Sequence, residues 1–131
     1  MSFSKVNHNV WHPVKDESVA KSSNTTTEWW DVGGWTDKKV WLEVDSSGSI
    51  DANVTLHVSP QGYYELNNKT CTTDDYESVT VVDGHTGATA VSFDSDDVAD
   101  LGKPMRSIRF YVENDDATDA STMNVWIEGW S

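Results

Sequence analysis

The chain has 131 residues, 37% apolar and 11% aromatic, which suits one domain with one core and argues against disorder. Nine Lys and Arg stand against 22 Asp and Glu, a formal net charge of −13. Such a surface repels nucleic acid phosphates and anionic lipid, so neither is an expected partner.

Residues 1–28 are polar and aperiodic apart from Val6, Val10, Trp11 and Val14. His12-Pro13 reads as an extended or turn dipeptide, and residues 21–27 (KSSNTTT) as a linker. The expectation is an extended N-terminal arm over 1–28 and a β-sandwich domain over 29–131. No apolar leader is visible in MSFSKVNHNVWHPV, so no signal peptide is expected. The one cysteine, Cys71, allows no intrachain disulfide.

From Trp29 on, short alternating stretches follow one another. Val40, Leu42 and Val44 share one side of a strand, with Trp41 and Glu43 on the other. After a turn signal at Asp45-Ser46-Ser47-Gly48, Ile50, Ala52, Val54, Leu56 and Val58 oppose Asp51, Asn53, Thr55 and His57. His57 is expected to be exposed, pairing across strands. A turn at 59–62 precedes Tyr63-Tyr64-Glu65-Leu66 and a polar loop. Residues 78–82 and 88–93 read as strands around an Asp83-Gly84 turn. Residues 94–102 (DSDDVADLG) form a loop with one helical turn at 97–101. Ile108, Phe110 and Val112 oppose Arg109 and Tyr111, and Met123, Val125 and Ile127 oppose Asn124, Trp126 and Glu128. Seven or eight short strands with turns between them predict an all-β fold, an antiparallel β-sandwich of jelly-roll type.

Catalytic signals are missing: there is no glycine-rich phosphate loop, nucleophile elbow or Cys-His pairing, so no enzyme is expected. With 22 acids, any carboxylate pair is uninformative. Asp94, Asp96, Asp97 and Asp100 fit either a hard divalent cation such as Ca²⁺ or a solvated acidic loop. The aromatics are the stronger lead. Trp41, Tyr111 and Trp126 all lie opposite the aliphatic side of their strands, and on neighbouring strands they would form one strip. Trp30 and Trp35 flank Gly33-Gly34 at the expected sandwich edge. These five are the candidate contacts for a partner subunit or a glycan.

The phrases GWTDKKVWLEVDSSGSIDANVTLHVSPQGYYEL (34–66), GKPMRSIRFYVEN (102–114) and NVWIEGW (124–130) resemble small β-sandwich virion proteins of tailed viruses. The resemblance is one of strand rhythm and turn placement over residues 29–131. It implies a capsid decoration, spike, turret or tail component without catalytic residues. Its location would be the virion, and its partners copies of itself and other virion proteins. The acidity points toward a virus of halophilic archaea, since high salt screens self-repulsion. The alternative expectation is a carbohydrate-binding module that uses exposed Trp and Tyr.

Overall fold

The alternating stretches pair into two sheets. The computed structural model describes residues 8–33, 35, 37–45, 52–85, 91–103, 105–116 and 118–130. They hold strands β1 (His8–Val19), β2 (Ser23–Thr26), β3 (Trp30–Asp31), β4 (Asp37–Asp45), β5 (Ala52–Ser59), β6 (Glu77–His85), β7 (Val91–Phe93), β8 (Ser107–Asn114) and β9 (Ser121–Trp130). One short helix, α1 (Tyr63–Asn67), and a 3₁₀ turn (Ala99–Gly102) lie between strands. Gly34, the expected turn residues 46–48, Ile50, and residues 88–90 of an expected strand lie outside the described residues.

One sheet runs β1-β9-β4-β7, and the other β2-β8-β5-β6 with β3 also on β8. The first half of the chain pairs with the second half in reverse order. β1 pairs β9, β2 and β3 pair β8, β4 pairs β7, and β5 pairs β6, all antiparallel. This long ribbon then wraps so that β4 also meets β9 and β5 also meets β8. A wrapped antiparallel ribbon is a jelly roll, so the all-β sandwich expected from the strand pattern is the observed fold.

Period-2 alternation builds the core. Val40 and Leu42 of β4 and Met123, Val125 and Ile127 of β9 face Ala52, Val54 and Leu56 of β5 and Ile108, Phe110 and Val112 of β8. All eleven are 0% exposed. Each large aliphatic buried this way contributes about 1.5–3 kcal/mol.

The N-terminal segment departs from expectation. Residues 8–26 are no separate arm: β1 is an edge strand of one sheet and β2 of the other. β1 pairs with β9 along its length, with register shifts around Val14 and a positive φ of 46° at Asp16. Buried Asn124 anchors the irregularity, its Oδ1 accepting from the Asp16 N–H (2.8 Å) and facing His12 Nε2 (3.0 Å). Val14 and Val19 are buried, and Trp11 meets Trp30 at 4.3 Å, closing the side of the sandwich between β1 and β3.

Two further contacts close one end. Trp35 packs flat on Gly129, where a Cβ would overlap the indole. Lys38 shares the inward parity of Val40 and Leu42 and is 1% exposed. Its ammonium donates to the carbonyls of Trp35 (2.7 Å), Leu101 (2.9 Å) and Lys103 (2.8 Å), tying the start of β4 to the 3₁₀ turn. Burial lowers its pKa to about 8, with the Asp37 charge opposing.

Candidate interaction faces

The same alternation that fills the core sends large aromatics outward on both sheets. On the β1-β9-β4-β7 sheet, Trp41 and Trp126 sit directly opposite each other in register. The His12 ring stacks on Trp126 at 4.2 Å and 15°, and Lys39 Nζ lies 4.6 Å from the Trp41 ring centre. Farther along, His8 stacks on Trp130 at 5.0 Å and its Nε2 lies 3.5 Å from Glu128 Oε2. Val10 is 58% exposed and helps line a shallow hollow with Trp41, Trp126 and Glu128. The Trp41 indole N–H is buried with no hydrogen-bond partner among the described residues. Cross-strand aromatic pairs of this kind add about 0.2–1 kcal/mol each.

The other outer face carries a denser cluster. His57 of β5 and Arg109 of β8 are register partners, and the Arg109 Nε–H donates to His57 Nδ1 at 2.9 Å. The guanidinium carbon lies 4.7 Å from the Trp29 ring centre and 5.0 Å from that of Tyr76. His57 stacks on Tyr76 (4.1 Å) and, more distantly, on Tyr111 (6.3 Å). Residues 60–76 hold this cover in place. Asn67 clips the Trp29 backbone, accepting from its N–H (2.8 Å) and donating to its carbonyl (3.0 Å). Asp75 accepts from Lys69 (2.7 Å), the Thr72 N–H (2.9 Å) and Gln61 (3.1 Å). These bonds hold its carboxyl well below the usual carboxylate range. Under this cover His57 is 8% exposed. Burial, then the Arg109 charge, lower its pKa to about 4. An open groove of about 1040 Å³ adjoins the cluster, lined in part by Asp31, Asp74, Asp75, Glu77 and Arg106.

Trp41 and Trp126 come together as their shared outward parity suggested. Tyr111 does not join them, because β8 belongs to the opposite sheet, and the expected three-residue strip is split between two faces. Trp30 is 47% exposed at the sandwich edge. Trp35 is 8% exposed beneath Gly129, so it closes the core and offers no contact surface. Adjacent Trp29 and Trp30 divide as extended backbone requires, Trp29 buried at 3% and Trp30 outward, whereas His57, expected to be exposed, is not. Parity placed His57 outward, but the cover that buries it comes from remote segments. The loop aspartates turn back on their own backbone. Asp94 accepts from the Asp96 N–H (2.9 Å), Asp97 accepts from the Asp94 N–H (3.1 Å), and Asp100 pairs with Lys103 (2.7 Å). Among the described residues, no three His, Cys, Asp or Glu side chains converge as a metal site.

The VP2 protein of infectious bursal disease virus, in its subviral particle, matches with a TM-score of 0.58 and 11% identity. The match covers 96% of this chain and 33% of VP2. A chain of T=1 particles derived from infectious bursal virus matches at 0.59 and 11%, over 96% of this chain and 32% of that one. A chain of the infectious bursal disease virus Gx strain matches at 0.56 and 10%, over 97% and 33%. All three are structures from one virus or from particles derived from it. At such identities the likeness is one of fold, and this chain spans about a third of the length of the chains it matches. No protein-family model and no curated sequence matches the chain.

Proposed function

We propose that this chain is a non-enzymatic structural protein of a virus particle, assembling with further copies of itself and with other virion proteins. The observation that supports this reading best is the likeness of the fold, over 96% of the chain, to chains solved in subviral and T=1 particles. Strand rhythm and acidity favour a capsid decoration, turret or tail component of a tailed virus of halophilic archaea. The assembly surface we assign is the outer face bearing Trp41, Trp126 and Val10. Interfaces are enriched in Trp and depleted in charge, and exposed aromatic patches generally serve contacts. A glycan platform fits this face less well. His12 already stacks on Trp126, and Lys39 lies over Trp41, so the chain itself covers part of each indole.

Sedimentation in concentrated salt tests the reading. The wild-type chain is expected to form a discrete oligomer, and Trp41→Ala with Trp126→Ala to return it to monomer while keeping its far-UV circular dichroism. A wild-type monomer whose tryptophan fluorescence responds to oligosaccharides would replace this reading with the carbohydrate-binding one.

A further inference from the structure

Arg109 stands out on charge grounds. The chain carries 22 acids, yet among the described residues no carboxylate lies within ion-pair distance of this guanidinium. The acid on its own strand face, Glu113, is engaged elsewhere: it accepts from Asn53 (3.1 Å) and from the Tyr111 hydroxyl (3.2 Å). Arg109 is nonetheless half-buried and tightly held. Trp29 and Tyr76 lie against its guanidinium, and the Nε–H is committed to His57 at 2.9 Å. The two Nη groups make no hydrogen bond among the described residues and are not sealed from solvent.

Leaving a partly desolvated cation without a counter-charge works against stability, so the arrangement calls for a use. Its geometry suggests one. The aromatic rings fix the plane of the fork and the His57 bond fixes its rotation, leaving the Nη edge pre-organised. That edge matches the two oxygens of a carboxylate with parallel N–H···O bonds. His57 accepts the Nε–H through Nδ1, so it is neutral and adds no second positive charge. One guanidinium matches the single charge of one carboxylate.

We propose that Arg109 is a receptor for a planar carboxylate supplied from outside this chain. Two sources carry that chemistry: an Asp or Glu side chain of a second copy, or a free carboxylate such as a uronic acid. The site stands on its own geometry and does not depend on the Trp41–Trp126 face.

The test follows the arginine Nε–H resonances of the wild-type chain by NMR in dilute solution. Sodium acetate and sodium glucuronate are titrated against sodium chloride at equal ionic strength. The Arg109 resonance is expected to shift saturably with either carboxylate and not with chloride, while Arg106 serves as the internal reference. Arg109→Lys keeps the charge without the fork and should weaken acetate binding about tenfold. An Arg109 resonance that ignores acetate, or follows chloride equally, overturns the proposal without any variant. Sedimentation then separates the sources. Loss of self-association in Arg109→Lys identifies a second copy as the donor. Unchanged association together with saturable glucuronate binding identifies a free carboxylate.

Discussion

His57 and Arg109 face each other across β5 and β8, and the pair makes the fold acid-sensitive. The imidazole titrates at about 4 in the folded chain against 6.5 when unperturbed, chiefly through burial and then through the Arg109 charge. Between those pH values the unfolded chain binds the extra proton. The contribution of His57 is therefore fully present above pH 6.5 and lost as pH falls through 4, about 3 kcal/mol in all. Urea unfolding across this window should show a steeper loss for wild type than for His57→Asn, which keeps an acceptor for the Arg109 Nε–H. Parallel curves would show that His57 is not held neutral. At this scale the sequence told direction but not burial. Period-2 parity correctly sent His57 outward, but its cover, Trp29 and Tyr76, comes from segments whose positions no local pattern reveals. Trp35 fails for the same reason: its partner is Gly129, and a glycine leaves no apolar mark in a strand pattern.

Strands β4, β5, β8 and β9 were legible because their alternation is unbroken and their inward residues are strongly apolar. β6 was cut short at Asp83-Gly84, which reads as a turn, yet Gly84 takes a positive φ of 73° within the strand. β1 was missed altogether. Only Val14 and Val19 of its residues are buried, and the register shifts around Val14 break the period that would have announced a strand. The physical consequence is that β1 belongs to the sandwich. Removing residues 1–19 strips β9 of a neighbour and takes away the buried Val14 and Val19, along with the contact of Trp11 with Trp30. Each buried aliphatic lost costs about 1.5–3 kcal/mol against a typical total of about 5–15 kcal/mol, and the unpaired edge of β9 adds to that, so the truncated chain should lose its cooperative thermal transition. Near-UV circular dichroism with a melt checks this. An unchanged melt would make residues 1–19 part of an arm, as the sequence suggested for 1–28.

Parity also says nothing about which strands are neighbours. Trp126 and Tyr111 both point outward, but the wrapping of the ribbon puts β9 and β8 in different sheets, so one imagined face became two. The two faces differ in physics, and salt separates them. With a net charge of −13, copies repel one another at low ionic strength. Raising salt from 0.1 M to 1 M shortens the Debye length from about 10 Å to about 3 Å and removes most of that repulsion. Burial of Trp41, Trp126 and Val10 does not depend on opposite charges, so association through that face should strengthen steadily with sodium chloride. A contact made through Arg109 and a carboxylate is screened by the same salt and should weaken. Sedimentation equilibrium over a sodium chloride series therefore reads the dominant contact from the sign of the slope. Association that rises with salt and vanishes in Trp41→Ala with Trp126→Ala assigns the aromatic face. Association strongest at low salt would mean that charge pairing overcomes the net repulsion, and would remove the aromatic face as the main site of assembly.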